Sequence, residues 1–322
     1  MNNFIYENRT KVYFGQGCVK EFLACLVRDA GNIMLAYGQG SVKRNGIYDE
    51  VLNILMKEGK HVTEFPGIMP NPTYQKVMEG ARLAREEKTE MILGVIVTTA
   101  GTGSECNGAA VITNEEQKVK TGHDYPKCNP AFALMDPAYT FSVPGGQMVS
   151  GAFDSLSHMM ETYFSEPDEQ NVSDEISEAL MRSVIKNIRQ AVRNPKDYTV
   201  RSNLLWSSAM SENRLIKLGK RCDFACHLME HQLSAYTGCS HSQGMAVLQP
   251  VYYRHIYRDG LDKFARFAEN VWMIPGEGRS REELAEAGVD ALADLIRETG
   301  LPARLRDIGI KDRGQLKEIA DS

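Results

Sequence analysis

Apolar and polar residues follow two different periods along this chain of 322 residues. In the first part, short apolar runs predict strands, and stretches with a 3.6-residue period predict amphipathic helices. The predicted strands are residues 32–37, 61–65, 90–98 and 131–135, and the predicted helices are residues 47–58 and 73–88. Alternation of strands and helices is typical of a parallel α/β sheet, as in Rossmann-like nucleotide-binding folds.

The pattern changes at about residue 147 and is helical almost throughout the rest of the chain. Helices are predicted over residues 171–194, 198–211, 224–235, 261–273 and 281–299. A Pro-Gly-Gly sequence at residues 144–146 is a credible joint between the two halves. We therefore expect an α/β dinucleotide-binding domain over residues 1–146 and an all-helical metal-binding and catalytic domain over residues 147–322.

Composition and charge narrow the class of protein. Hydrophobic residues make up 43% of the chain and charged residues 25%, as in ordinary globular proteins. The net charge of −5 gives no electrostatic reason to expect nucleic acid or an anionic membrane as a partner. The first residues lack the basic and apolar blocks of a signal peptide, and the seven cysteines are irregularly spaced. These features predict a cytoplasmic enzyme with reduced thiols.

Two short segments of the helical half carry candidate metal ligands. Asp154 and His158 form one pair, and His227 and His231 form another, with His241 ten residues after the second pair. Each pair is spaced i,i+4, so on a helix both side chains point the same way. One carboxylate and up to three imidazoles suit a first-row divalent ion such as Zn²⁺ or Fe²⁺. The spacing alone does not decide which histidine of the second pair binds the metal.

Two glycine-containing segments of the α/β half are candidate phosphate sites. Gly38-Gln39-Gly40-Ser41 follows the first predicted strand, where backbone N–H groups could meet a phosphate. A plain tight turn explains this sequence about as well. A second string, TTAGTGSE at residues 98–105, places two hydroxyls four residues apart in a glycine-rich setting.

Some of the cysteines, histidines and acidic residues also have simpler interpretations. Cys222 and Cys226 could form a structural zinc site with His227 and His241, because thiolates favour zinc. His61, His123 and His255 are interpreted as packed core residues. Glu230 is expected to be solvated or salt-bridged, without a catalytic role.

Several strings taken together resemble the iron-containing alcohol dehydrogenase family, in its branch of butanol dehydrogenases and broad-range aldehyde reductases. The resemblance runs along nearly the whole chain. The matching strings are KVYFG (11–15), GQGSVKRNG (38–46), PNP (70–72), TTAGTGSE (98–105), MDP (135–137), GAFD (151–154) with His158, and CHLMEH (226–231) with His241.

The resemblance implies a metal-dependent dehydrogenase that transfers hydride between NAD(P)H and small aldehydes, and a homodimer. It implies the metal ligands Asp154, His158, His227 and His241, and a catalytic role for His231 near the nicotinamide and the reactive carbon. The implied cofactor contacts are Gly38, Gln39, Gly40, Ser41, Asn71, Thr98, Thr102, Asn107, Lys120 and Tyr139. Where NAD-preferring relatives carry an aspartate this chain has Gln39, which favours NADP(H) because no carboxylate repels the 2′-phosphate.

The chain departs from the family at one point. Family members carry a GGGS-type pyrophosphate loop and a helix after the strand that begins here at residue 91, and this chain continues directly into the threonine string. We interpret this as two fused strands with a strand–helix unit missing. Either the printed sequence omits a segment, which we favour, or the protein is a non-catalytic metal-binding remnant that has lost its nucleotide site. A glycerol or diol dehydrogenase of the same superfamily is a further alternative.

Overall fold

Two units with different secondary structure make up the chain, and the computed structural model describes residues 1–90, 93–167, 169–310 and 312–321. The α/β unit comprises Arg9–Thr98 and Ser104–Ser142. The helical unit comprises Met1–Asn8, Thr99–Gly103 and Val143–Ser322.

The α/β unit contains seven strands and four helices among its described residues. The strands are β1 (Lys11–Phe14), β2 (Asn32–Ala36), β3 (His61–Phe65), β4 (Gly94–Ile96), β5 (Ala109–Asn114), β6 (Val119–Asp124) and β7 (Phe132–Met135). The helices are α1 (Cys18–Leu26), α2 (Ser41–Arg44), α3 (Ile47–Lys57) and α4 (Tyr74–Glu86).

These strands form two parallel sheets and one hairpin. The first sheet has the order β1-β7-β4, and β2 pairs with β3 in a second sheet. Strands β5 and β6 form an antiparallel hairpin. Within the described residues, no strand pairs with the second edge of β2 or of β4, and a cavity of about 80 Å³ is lined by residues of both strands.

The core of the α/β unit forms where helices cover the strands. Phe132 and Leu134 of the central strand β7 are buried, as are Val19 of α1 and Val51 of α3. These apolar residues recur at strand and helix periods, and this is why the sequence pattern identified most of the elements. Gly94 is required opposite Phe132, because a Cβ there would lie 2.1 Å from the phenyl ring.

The helical unit contains eight α-helices in the described part of the chain. They are α5 (Gly145–Tyr163), α6 (Val172–Arg193), α7 (Tyr198–Glu212), α8 (Ala225–Thr237), α9 (His241–Ile256), α10 (Leu261–Asn270), α11 (Arg281–Glu298) and α12 (Arg313–Ala320). Helix α5 is buried on every side from Ala152 to Tyr163 apart from His158, as expected of a helix at the centre of a core. It packs against α6, α7 and α9, so side chains on α5 can meet side chains of several helices.

The predicted fold class is confirmed: an α/β part with parallel strands precedes an all-helical part. Most predicted elements are present, with ends shifted by no more than three residues. The strand predicted at residues 90–98 is wrong in extent, because only Gly94–Ile96 forms a strand and residues 91–92 lie outside the described residues. Among the described residues, no helix is both long enough and apolar enough to cross a membrane.

Candidate active site

Four of the predicted site residues converge in the helical unit. Asp154 and His158 lie one turn apart on α5, His227 lies in the first turn of α8, and His241 is the first residue of α9. One potential ligand atom from each lies within 4.8 Å of the others. We call these residues the four-residue cluster.

The turn between α8 and α9 places His241 beside His227. Helix α8 ends at Thr237, and Gly238 follows with φ +67°, a left-handed conformation that glycine adopts at low cost. The carbonyl oxygen of Ser234 accepts the Gly238 N–H at 2.8 Å, which closes the helix end. The chain then reverses, and α9 begins three residues later at His241.

The geometry of the cluster fits a metal ion. The rings of His158 and His227 are stacked with centroids 4.8 Å apart, and His241 Nε2 lies 3.5 Å from Asp154 Oδ1. His227 Nε2, Asp154 Oδ1 and His158 Nδ1 are buried without a hydrogen-bond partner. Buried polar atoms are rarely left in this state, because desolvation without a partner is costly. Three imidazoles and one carboxylate are a donor set that suits Zn²⁺ or Fe²⁺.

Electrostatics also favour metal binding at His227. Burial, followed by the neighbouring histidines, holds the pKa of this imidazole well below its usual 6.5. The ring is therefore neutral at pH 7, and the neutral form is the one that binds metals.

Glu161 belongs to this site, and the sequence analysis missed it. It lies seven residues after Asp154 and three after His158, so it shares their face of α5. Its Oε2 accepts the backbone N–H of His227 at 3.1 Å and lies 3.2 Å from His227 Nδ1. Burial raises the pKa of Glu161 to about 7. The i, i+4, i+7 spacing was the sequence signal that could have identified it.

The expectation that Glu230 is solvated is wrong. Its side chain is fully buried, and its Oε2 is hydrogen-bonded to His241 Nδ1. The alternative expectation, an ion pair, describes this contact when His241 is protonated. Helix α8 has a weak separation of polar and apolar faces, so its pattern did not show that Glu230 points inward.

His231 lies one turn after His227 on α8 and is 8% exposed. Its ring centroid is 5.6 Å from that of His241. Glu230, His231 and His241 form a second group whose potential ligand atoms lie within 4.8 Å of one another. His231 is therefore close to the four-residue cluster without belonging to it.

Other histidines and the cysteines behave differently from the simpler interpretations. His61, His123 and His255 are exposed, so the prediction that they pack in the core is wrong. Neither potential metal group formed by the described residues includes a cysteine.

Predicted nucleotide contacts of the α/β unit lie where parallel strands end. Residues 38–41 follow β2, Asn71 lies beyond β3, and Thr98 lies beyond β4. Ligands of parallel α/β sheets bind outside the carboxyl ends of the strands, so this placement suits a dinucleotide. Gln39 and Ser41 are exposed there.

The remaining predicted contacts of this unit are less accessible. Asn107 and Lys120 are 5% and 6% exposed. The Tyr139 hydroxyl donates to Glu50 Oε1, and burial and this carboxylate raise the tyrosine pKa. Tyr139 would have to exchange this partner to contact a nucleotide.

Residues 99–103 of the threonine string belong to the helical unit and pack on its helices. The Gly101 N–H donates to Ser208 Oγ at 2.8 Å, and the Gly101 carbonyl accepts from Ser155 Oγ at 3.0 Å. Ser155 follows Asp154 directly on α5. Thr102 is exposed.

The chain matches models of a known protein family along most of its length. Residues 148–322 match the C-terminal part of the Fe-containing alcohol dehydrogenase family, and residues 9–95 and 93–137 match the iron-containing alcohol dehydrogenase profile. The chain belongs to the iron-containing alcohol dehydrogenase family. It is therefore an oxidoreductase of the alcohol dehydrogenase type, and membership implies a divalent metal and NAD(P)H.

Similar members of the iron-containing alcohol dehydrogenase family support the predicted branch. NADH-dependent butanol dehydrogenase A of Clostridium acetobutylicum is 33% identical, over 98% of this chain and 92% of its own. The NADPH-dependent aldehyde reductase YqhD of Escherichia coli is 30% identical, over 96% and 90%. The crystal structure of NADH-dependent butanol dehydrogenase A from Thermotoga maritima has a TM-score of 0.94 and 32% identity, covering 100% of this chain and 90% of the other.

The same comparisons bear on the departure from the iron-containing alcohol dehydrogenase family. The N-terminal profile matches in two pieces, residues 9–95 and 93–137, which overlap at residues 93–95. The alignment with the Clostridium relative spans 358 positions, more than the 322 residues of this chain. In the structure, Gly94 and Val95 of this segment lie within β4, whose second edge is unpaired among the described residues.

Proposed function

We propose that the chain is a metal-dependent NAD(P)H aldehyde reductase and alcohol dehydrogenase that acts on small aldehydes. The observation that carries this proposal is the four-residue cluster, in which three buried polar atoms have no hydrogen-bond partner. The names of the relatives, which include butanol dehydrogenases and an aldehyde reductase, support the substrate class.

Different residues of the chain have different roles in this mechanism. Asp154, His158, His227 and His241 would hold the ion. The bound ion supplies Lewis acidity toward the carbonyl oxygen, and NAD(P)H supplies the hydride. His231, beside His241 and 8% exposed, holds a proton on its ring and donates it to the oxygen that becomes the hydroxyl. Asp154, His227 and His231 are buried and His158 and His241 are partly buried, which limits the access of competing water to the reacting groups.

The proposed cofactor is NADP(H) rather than NAD(H). The exposed Gln39 carries no charge, and Lys43 and Arg44 lie in the following short helix. Lys43 Nζ is 3.1 Å from Glu64, which offsets part of its charge, so Arg44 is the stronger candidate for the 2′-phosphate. The relatives include both NADH- and NADPH-dependent enzymes, and the choice therefore rests on these side chains.

A second candidate function, a metal-binding protein without catalytic activity, follows from the overlap of the two profile matches at residues 93–95. A chain that lacks the pyrophosphate loop and the strand–helix unit of the family would be the non-catalytic remnant: it would keep the four-residue cluster and bind nucleotide weakly. Intact-mass analysis of the expressed protein decides whether the segment is absent. Titration of NADPH fluorescence then measures the affinity that remains.

The proposed assembly is a homodimer, as the family resemblance implies. The N-terminal segment exposes Phe4, Ile5 and Tyr6, and Ile5 is 96% exposed. Sedimentation velocity at micromolar concentration tests this proposal, and a single monomeric species would reject it.

The activity itself is tested on one preparation divided in two, one part stripped with a chelator and the other reloaded with Fe²⁺ or Zn²⁺. We expect NADPH-dependent reduction of butyraldehyde only in the reloaded part. A panel that includes glycerol and 1,3-propanediol distinguishes the diol dehydrogenase alternative. Equal rates in the stripped and reloaded parts would contradict metal dependence. Nucleotide binding without any aldehyde reduction would contradict the proposed reaction.

A further inference from the structure

One ring nitrogen of His227 lies beside a buried carboxylate. Glu161 Oε2 lies 3.2 Å from His227 Nδ1, and the side chains are 4% and 6% exposed. The same oxygen accepts the His227 backbone N–H, which fixes the carboxylate relative to the start of α8. The other ring nitrogen, Nε2, is buried without a hydrogen-bond partner. Nδ1 of this ring therefore lies beside a carboxylate, whereas Nε2 has no hydrogen-bond partner.

His241 has the same arrangement with a different glutamate. Its Nδ1 is hydrogen-bonded to Glu230 Oε2, and its Nε2 lies 3.5 Å from Asp154 Oδ1. The fully buried Glu230 needs Gly244 opposite it, because a Cβ at position 244 would lie 2.7 Å from Glu230 Cγ. The sequence thus provides space for a carboxylate behind this histidine.

These contacts determine which nitrogen of each imidazole ring carries hydrogen and which is free to bind a metal ion. A neutral imidazole has one N–H donor and one acceptor nitrogen. Glu161 Oε2 already accepts the His227 backbone N–H, and an ionised carboxylate only accepts. A glutamate oxygen that accepts beside Nδ1 favours the tautomer with hydrogen on Nδ1 and a lone pair on Nε2. A carboxylate behind a ligating histidine also raises the basicity of the ring.

We propose that Glu161 and Glu230 are positioning residues, which fix the rings of His227 and His241 so that both present Nε2 to one divalent cation. This inference rests on the proposed function, because it takes the four-residue cluster as the metal site. It assigns the two glutamates a role in metal affinity, and neither acts on the substrate.

The competing interpretation makes Glu230 a metal ligand. Glu230, His231 and His241 are close enough together to hold an ion themselves. In that case, His241 would bind the metal through Nδ1, the nitrogen that lies beside Glu230. The nitrogen that carries the metal therefore decides between the two interpretations.

Zinc affinity of the full chain is the first test. Chelator-stripped protein is titrated with Zn²⁺ in competition with a chromophoric chelator, for the unmodified chain, Glu161→Ala, Glu161→Gln, Glu230→Ala and Glu230→Gln. We expect each Ala variant to bind zinc about 10- to 100-fold more weakly. The Gln variants should lose less, because the amide oxygen still accepts from Nδ1–H.

Glu105→Ala is the matched control, because Glu105 is also a buried glutamate but lies in the α/β unit. Its zinc affinity should equal that of the unmodified chain. Unchanged affinity in both folded Ala variants at positions 161 and 230 would overturn the positioning role. No zinc binding by the unmodified chain would instead reject the proposed function.

Histidine nitrogen spectra provide a readout that a structural role alone would not change. Long-range ¹H–¹⁵N correlation spectra of the zinc-loaded chain identify which nitrogen carries hydrogen and which carries metal. For His227 and His241 we expect hydrogen on Nδ1 and zinc on Nε2. If an Ala variant does not fold, the spectra of the Gln variant and the unmodified chain still test the proposal. Zinc on Nδ1 of His241 would overturn it and favour Glu230 as a ligand.

Discussion

Gly151 of α5 meets the carbonyl of Ala100 so closely that a Cβ at position 151 would lie 2.1 Å from the carbonyl oxygen. Gly151→Ala should therefore push the threonine string off α5, because a backbone oxygen cannot move aside as a flexible side chain can. We expect a loss of about 1–3 kcal/mol in the free energy of unfolding. We also expect weaker NADPH binding. Urea unfolding and NADPH fluorescence titration measure the two effects.

Gly146→Ala is the control on the same helix. Nothing lies within 4 Å of a Cβ at position 146. This variant should keep the stability or gain about 0.5–1 kcal/mol, because alanine favours the helix over glycine. Equal free energies of unfolding and equal NADPH affinities in the two variants would show that the contact with Ala100 does not constrain the chain.

Glu105 predicts a pH dependence of stability. Its carboxyl is 4% exposed, its Oε1 has no hydrogen-bond partner, and burial raises its pKa to about 7. Between pH 4.5 and pH 7 the folded chain keeps this proton while the unfolded chain releases it, so this group makes stability fall as pH rises. Glu105→Gln should remove the fall, with a gain of up to about 3 kcal/mol at pH 8 and little change at pH 4.5.

Urea unfolding at both pH values measures this difference. Glu115→Gln serves as the control, because Glu115 is exposed in the same unit. A gain at pH 8 no larger for Glu105→Gln than for Glu115→Gln would contradict the account of the buried carboxyl.

The sequence predicted the elements that carry a local signal. Helix α6 was predicted within one residue at each end, and the Asn171 side chain caps it by accepting the Asp174 N–H. Helix α9 was missed, because Gly244 and Pro250 interrupt its pattern. The hairpin of β5 and β6 was also missed, because most of its residues are exposed and show no buried face.

The candidate site was predictable only in part. Spacing identified Asp154 with His158 and His227 with His231, because i,i+4 pairs are local. The convergence of α5, α8 and α9 depends on tertiary packing, which spacing does not report. For the same reason, the sequence did not reveal that Glu161 and Glu230 lie behind His227 and His241. The family resemblance supplied the set of four ligands.

His227 and His231 are one turn apart and should respond differently to substitution. His227→Ala should lose its metal, because the variant lacks one of four ligands. His231→Ala should keep its metal and lose about 10²- to 10⁴-fold in aldehyde reduction, because the positioned proton donor is gone. Elemental analysis and turnover are measured for both variants. Metal loss in His231→Ala with retention in His227→Ala would show that the roles are exchanged.

Gln39 should determine part of the cofactor preference. In the unmodified chain we expect a lower dissociation constant for NADPH than for NADH. Gln39→Asp should narrow or reverse the difference, because a carboxylate repels the 2′-phosphate and accepts the ribose hydroxyls. Gln39→Asn is the neutral control and should keep the preference. Equal constants for both cofactors in the unmodified chain would contradict the NADP(H) proposal.

The number of metal ions per chain tests the central claim most directly. The unmodified protein, His158→Ala and the control His255→Ala are loaded with Zn²⁺, desalted and analysed for metal and protein together. His255 is exposed on α9 and lies outside both potential metal groups of the described residues. The account predicts one zinc per chain in the unmodified protein and in His255→Ala, and almost none in His158→Ala. One zinc per chain in folded His158→Ala would contradict the four-residue metal site.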